Sequence, residues 1–168
     1  RVLPRTEMKI LDPDEHGRGE IAIKGPMVMR GYYRMPEETA EVMTDDGYFR
    51  TGDVGYLDRD NYLYLTGRAK NLIVTEGGKN VYPEELEDAF QLYPEVEQIM
   101  VRGYTPDKRT PGERIEALIY PNQELFEADL QGDEEGAHRV RTRIEAIVAE
   151  VNQDLLSYQK IERALVLA

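Results

Sequence analysis

The chain has 168 residues, 40% of them hydrophobic, which suits one domain or two small ones. Its 21 Lys and Arg against 33 Asp and Glu give a net charge of −12, which disfavours nucleic acid and anionic membrane surfaces at long range. There is no cysteine and there are only two histidines, so disulfides and Cys/His zinc sites are excluded. We therefore expect no nucleic-acid partner and no metal site built from these residues.

No apolar run approaches membrane-spanning length, and the first residues lack the apolar core of a signal peptide. These features predict a cytoplasmic chain without a transmembrane segment. Because it begins with Arg1 rather than Met, we expect it to be a piece of a longer protein.

The first part of the chain has mostly β patterns. Alternating apolar residues in 20–29 predict an antiparallel strand that is interrupted at Gly25-Pro26. Residues 36–43 predict a short helix, with proline at its first position and acids in its first turn. Alternation on either side of the polar turn at 58–61 predicts a hairpin over 55–66.

After Lys70 helical spacing appears. Residues 72–74 predict a short strand, and Pro83 predicts the start of a helix that ends at Pro94. The apolar residues of that helix predict a buried face, and they are Leu86, Ala89, Phe90 and Tyr93. Two strands follow, at Val96–Tyr104 and at 114–120, separated by a loop at 105–112.

The C-terminal part contains the clearest helix. Residues 121–136 carry six acids and predict a solvated insertion. The apolar stripe of the final helix comprises Val140, Ile144, Ile147, Val148, Val151 and Leu155. The fold class is therefore α+β, with a β-rich segment at 1–69 followed by a small β-α-β-β-α domain at 70–168.

Three charged residues near the boundary between these segments are candidates for chemistry. Asp53 follows Thr51-Gly52, and its carboxylate could accept hydrogen bonds from both hydroxyls of a ribose, although an ordinary turn is the simpler explanation. Arg68 could reach a phosphate or ribose, or form a surface ion pair. Lys70 lies where a hinge would lie, or is a solvated linker lysine.

A glycine pair follows in the second segment. Gly77 and Gly78 would allow the backbone to approach a ligand closely, or simply form a β-turn. Lys79 offers a positive charge for a phosphate, but loop lysines usually face water.

Three ordered segments together resemble one known family. GRGEIAIKGPMVMRGYYRMPEET, FRTGD and GRAKNLIVTEGGKNVYPEELE are similar to motifs in the C-terminal third of the AMP-forming acyl-CoA synthetases. These enzymes belong to the adenylate-forming superfamily, and the resemblance covers nearly the whole chain, weakening in 121–136. It implies that 1–69 completes a large adenylation domain and that 70–168 is a mobile C-terminal domain, incomplete at its end.

The resemblance also implies roles for single residues. Asp53 would hold the adenosine ribose, Arg68 would contact the ribose and phosphate side, and Lys70 would be the hinge. Gly77 would line the channel for the pantetheine of coenzyme A, with Gly78 beside it and Lys79 near a coenzyme A phosphate. ATP, Mg²⁺ and coenzyme A are the implied cofactors, with the Mg²⁺ held together with ATP outside these residues.

The family's phosphate loop and terminal catalytic lysine are not found in these residues. Lys160 is not that lysine, because it lies upstream in a connecting segment. We therefore expect this chain to be inactive alone and to need the missing N-terminal domain, through which peripheral membrane contact could also occur. The segment GRAKNLIVTEGGKNVYPEELE resembles the long-chain fatty acid branch of the family more than its acetate or aryl branches, which implies a long-chain fatty acid substrate. The alternatives are a peptide-synthetase adenylation domain and a non-catalytic nucleotide-binding or interaction module.

Overall fold

The computed structural model describes residues 4–107, 111–131 and 134–167. Its contacts divide the chain into two compact units, the first ending at Lys70 and the second beginning at Asn71. A short 3₁₀ helix, Ala69–Asn71, lies at this boundary. Both units combine helices with sheets, so the predicted α+β class is confirmed.

The first unit is a four-stranded antiparallel sheet in the order β1-β2-β3-β4. Its strands are β1 Glu7–Leu11, β2 Gly19–Lys24, β3 Phe49–Leu57 and β4 Leu63–Arg68, with the helix α1 Pro36–Val42 between β2 and β3. The predicted antiparallel strand, short helix and hairpin are thus confirmed. Few of its side chains are fully buried, among them Ile21, Ala22 and Val54.

The second unit contains two sheets. Strands β5 Ile73–Val74 and β6 Asn80–Val81 form a small antiparallel hairpin. A three-stranded sheet has the order β7-β8-β9, with β7 Val96–Tyr104, β8 Arg114–Pro121 and β9 Ile161–Val166. Its helices are α2 Pro83–Asp88, α3 Glu127–Leu130 and α4 Glu134–Asp154.

One continuous hydrophobic core holds the second unit together. The predicted stripe of α4 packs with α2 and with alternate residues of the sheet, so this prediction is confirmed. The fully buried members with the largest side chains are Phe90, Ile73, Leu86, Ile115, Ile119, Ile144 and Ile147. Among the described residues, no helix is both long and apolar enough to cross a membrane.

The helix that begins at Pro83 is shorter than predicted. α2 ends at Asp88, and the amides of Ala89 and Phe90 bond to carbonyls three residues back, at 3.2 and 3.0 Å. Tighter turns of this kind continue to Tyr93, so the apolar face is kept although the α-helix stops.

The acidic segment 121–136, predicted to be a solvated insertion, is partly packed against the core. It forms α3, and Phe126 and Leu130 pack against the core. Asp129 accepts a hydrogen bond of 2.6 Å from Arg139 of α4. Residues 132–133 of this segment, and 108–110 of the predicted loop, lie outside the described residues.

The predicted β-α-β-β-α order lacks two strands that the structure contains, the short β6 and the C-terminal β9. Residues after Lys160, interpreted as a connecting segment, form β9, which pairs in parallel with β8. Asn152 Nδ2 donates to Ile161 O, and Ile161 N donates to Asn152 Oδ1, both at 2.9 Å. These two bonds fix the start of the strand. The strand was missed because Glu162 and Arg163 interrupt its apolar pattern.

Candidate functional site

The Thr51-Gly52-Asp53 segment is a bulge in the interior of β3, not the turn that the sequence suggests. Glu20 pairs with Val54 and Ala22 pairs with Arg50, so three residues of β3 face Ile21 alone. Bulges of this kind re-aim side chains and occur beside binding sites. The Thr51 hydroxyl fixes the bulge, since it donates to Ile21 O at 2.9 Å and accepts from Asp53 N at 3.1 Å.

The structure brings Asp53 and Arg68 together. They face each other across β3 and β4, and Arg68 Nη1 lies 2.8 Å from Asp53 Oδ1. Their side chains are 38% and 54% exposed, so both remain accessible to a ligand. A carboxylate acceptor and a planar guanidinium donor thus stand side by side at one rung of the sheet.

The glycine pair lies at the tip of the β5–β6 hairpin. Thr75 closes the tip: its amide donates to Lys79 O at 3.0 Å, and its carbonyl accepts from Gly78 N at 2.8 Å. Gly78 has a φ of +70°, which explains a glycine there on backbone grounds. The backbone conformation of Gly77 does not call for glycine. A Cβ at either glycine would meet no atom within 4 Å.

Lys70 lies in the 3₁₀ helix Ala69–Asn71 and is the last residue of the first unit. Lys79 is exposed at the hairpin tip. Apart from Lys70, the predicted site residues form two groups: Asp53 and Arg68 in one unit, and Gly77, Gly78 and Lys79 in the other.

Sequence reasoning missed the residues that shape these groups. Thr51 and Thr75 each bond the backbone of the segment that they begin, a role typical of threonine next to glycine in bulges and turns. A glycine inside a strand pattern was the available signal for the bulge at 51–53.

Solved structures similar to this chain align with nearly its whole length. The ATP-bound RpMatB-BxBclM chimera B1 covers 98% of this chain with a TM-score of 0.77 and 32% identity, and 31% of that chain is matched. The O-succinylbenzoate coenzyme A synthetase of Bacillus subtilis, in complex with ATP and magnesium, covers 98% with a TM-score of 0.71 and 28% identity, matching 31% of its chain.

Curated relatives agree with these structures. A long-chain-fatty-acid–CoA ligase of Bacillus subtilis is 43% identical over 107 residues, 64% of this chain and 18% of the relative. A mitochondrial medium-chain acyl-CoA ligase of Bos taurus is 38% identical over 125 residues, 71% of this chain and 20% of the relative. The resemblance to AMP-forming acyl-CoA synthetases is confirmed.

This acyl-CoA synthetase-like chain spans about a fifth of the length of these curated relatives. A sulfoacetate–CoA ligase of Cupriavidus necator is 47% identical over 101 residues, 60% of this chain and 19% of the relative. Similarity to acyl-CoA synthetases therefore extends across ligases for very different acids. No family model matches the chain.

Proposed function

We propose that this chain is the C-terminal part of an ATP-dependent acyl-CoA synthetase. The observation that carries the proposal is the Asp53–Arg68 pair on the bulge of β3. An exposed carboxylate at this rung can accept from both vicinal hydroxyls of a ribose, while the guanidinium remains beside it for the phosphate side of the nucleotide. The similarity to ATP-bound structures supports ATP as the nucleotide.

The proposed reaction has two steps. A carboxylate oxygen of the acid attacks the α-phosphorus of ATP, and the bond to the leaving pyrophosphate breaks to give an acyl-adenylate. The thiol of coenzyme A then attacks the acyl carbon, AMP leaves and the thiol proton is released to solvent. Mg²⁺ would accompany ATP and neutralise phosphate charge. Within the described residues no cluster of three carboxylate or imidazole side chains is placed to hold a metal.

In this proposal the second unit serves the second step. Gly77 and Gly78 would line the path of the pantetheine arm, because no side chain there blocks a close approach to the backbone. Lys79 would meet a phosphate of coenzyme A. Lys70 would be the hinge between 1–69, belonging to the large domain, and 70–168, the small mobile domain.

A long-chain fatty acid is the proposed substrate, supported by the Bacillus subtilis relative at 43% identity. Medium-chain and sulfoacetate ligases are similar as well, so substrate identity needs a direct test. We further propose that this chain is inactive without the N-terminal domain of its parent and that the parent acts in the cytoplasm.

The test is ATP–pyrophosphate exchange by the full-length parent, with fatty acids of graded length, acetate, sulfoacetate and amino acids. We expect exchange with fatty acids and coenzyme A-dependent release of AMP. Exchange with amino acids, without transfer to coenzyme A, would favour a peptide-synthetase adenylation domain. Absence of exchange with every acid would favour a non-catalytic nucleotide-binding module.

A further inference from the structure

The β5–β6 hairpin that carries Gly77, Gly78 and Lys79 is short, and Thr75 closes its tip through local bonds to Gly78 and Lys79. Each strand contains two residues, and Ile73 pairs with Val81 while Val74 pairs with Asn80. Isolated two-stranded hairpins are marginal even when they are longer. The buried Ile73 and Val81 side chains anchor the base of the hairpin in the core, but the tip lies beyond them.

A second partner bonds the outer edge of β5. Glu113 N donates to Val74 O at 2.9 Å, and Val74 N donates to the Glu113 side-chain Oε2 at 3.3 Å. Thr75 and Glu113 also form a parallel bridge. One residue thus bonds β5 through both its backbone and its carboxylate, immediately before the tip.

Two glycines provide the space for this contact. A Cβ at Gly112 would lie 2.6 Å from Glu76 N, and Gly112 has a φ of +85°, so the loop backbone can press against the hairpin only with glycine. A Cβ at Gly103 would lie 2.6 Å from Glu113 Oε1, so the carboxylate crosses β7 over this glycine. At both positions glycine is needed for contacts within the protein itself, without any ligand.

An ion pair adds a contact at the tip itself. Arg114 Nε donates to Glu76 Oε1 at 2.8 Å, and Glu76 directly precedes the glycine pair. Both side chains are about two-fifths exposed, at 40% and 42%, so the contribution of this ion pair to holding the tip is modest.

We propose that Glu113 is a positioning residue for the thiol-transfer step: it holds the edge of β5 so that Gly77, Gly78 and Lys79 stay where coenzyme A must pass. This rests on the proposed function. Loss of the Glu113 carboxylate frees Val74 N and loosens the tip. The Asp53–Arg68 pair keeps its geometry, because the pairing of β3 with β4 in the first unit holds it. The two half-reactions should therefore respond differently.

The test compares Glu113→Ala and Glu113→Gln in the full-length parent by single-turnover kinetics. Acyl-adenylate formation is measured first, and thioester formation from preformed adenylate and coenzyme A second. Glu113→Ala should slow the second step about 10- to 100-fold, because small misplacements near a reacting group have effects of this size. Adenylate formation should stay within about 2-fold, and Glu113→Gln, which keeps an acceptor oxygen, should recover most of the lost rate.

Gly103→Ala offers an independent probe. Its methyl would collide with the mobile end of the Glu113 side chain rather than with backbone, so it should displace the carboxylate at little cost to the fold. The matched control for Glu113→Ala is Glu97→Ala, which removes a similar contact, Gln123 N to Glu97 Oε2 at 3.4 Å, away from the hairpin. Gly103→Ala should share the defect of Glu113→Ala, and Glu97→Ala should behave as wild type.

Gly112→Ala and Gly17→Ala form a second matched pair. Both glycines have positive φ, +85° and +77°, but a Cβ at Gly17 meets no atom within 4 Å. Only Gly112→Ala should impair thiol transfer beyond what backbone strain causes.

Amide exchange separates failure of this inference from failure of the proposed function. If the wild-type parent makes no acyl-adenylate, the proposed function fails and the role in thiol transfer fails with it, whereas exchange at Val74 and Thr75 still tests whether Glu113 holds the tip. Faster exchange at these amides in Glu113→Ala supports it. Unchanged exchange, or equal slowing of both half-reactions, overturns it.

Discussion

The two units hold their candidate residues in different ways. In the first, Asp53 and Arg68 are fixed by strand register and a bulge, on a sheet with few buried side chains. In the second, a large core supports the sheet, but the glycine tip depends on contacts from Glu113, more than thirty residues away in sequence. Local pairing can therefore fix a site on a weakly buried sheet, whereas a short hairpin needs long-range support even on a well-packed domain.

The sharpest test of this difference is to produce the units separately. We expect residues 71–168 to fold cooperatively, because they contain one continuous core, and residues 1–70 to remain largely unfolded, because their buried apolar area is too small to offset chain entropy. Circular dichroism and amide dispersion in NMR spectra would check both. A cooperative unfolding transition of residues 1–70 alone would contradict this difference between the units.

The next largest effect concerns the site on the first unit. Asp53→Ala in the full-length parent should raise the activation free energy of adenylation by roughly 2–4 kcal/mol and so lower kcat/KM about 30- to 1,000-fold, since the proposed assignment gives this carboxylate two charge-assisted hydrogen bonds to ribose. Asp45→Ala, which changes an exposed aspartate elsewhere in this unit, is the control. Unchanged adenylation kinetics would remove Asp53 from the nucleotide site.

A smaller effect tests the sheet of the second unit. Glu116 lies on the central strand β8 and its side chain is 1% exposed. It forms ion pairs with Arg102 of β7, at 2.7 Å between Nε and Oε1, and with Arg163 of β9. Burial alone would raise the pKa of Glu116, but hydrogen bonds from Arg163 and Arg102 outweigh it and lower that pKa below its ordinary value of 4.5. The charged form is therefore favoured by folding.

Because the folded-state pKa is lowered, Glu116 stabilises the fold above about pH 4.5, and this contribution is lost as the pH falls through the folded-state pKa. Glu116→Gln should cost about 1–3 kcal/mol at neutral pH, since both arginines are half exposed and can be hydrated. The difference from wild type should shrink in acid. Urea unfolding followed through amide signals of β8 would measure it, and a difference that does not change with pH would contradict the assignment.

The smallest expected effect is local to the first unit, where charge pairs lie on the surface. The pKa of Asp46 is lowered from 3.8 to about 2, mainly by a hydrogen bond from Lys9 and then by one from Thr44. Lys9→Met should raise this pKa toward 3.8, measured by NMR titration of the carboxyl carbon. Lys24→Met is the control, because Lys24 donates to the backbone oxygen of Asp46. An unaltered pKa in Lys9→Met would show that the pair does not form in solution.

Local pattern was enough to predict much of this chain. Alternation located β2 and the β3–β4 hairpin, helical spacing located α4, and proline marked the starts of α1 and α2. The ordered motifs predicted the resemblance that the comparisons confirm, together with the site residues, which stay predictions. These features depend on neighbours within a few positions, where periodicity and backbone preference act directly.

Other features exist only because distant residues meet. β9 becomes a strand because β8 supplies its pairing and Asn152 fixes its start, despite the charges in its own sequence. Thr51-Gly52-Asp53 is a bulge because β2 offers one residue against three, and the hairpin tip is held because Gly103 and Gly112 leave room for Glu113. No local pattern encodes these pairings, since they depend on register and close approach between segments far apart in the chain. The sequence by itself determined the strongly periodic elements and the candidate chemistry, and the tertiary structure decided which weaker segments became strands and how the candidate residues are aimed and held.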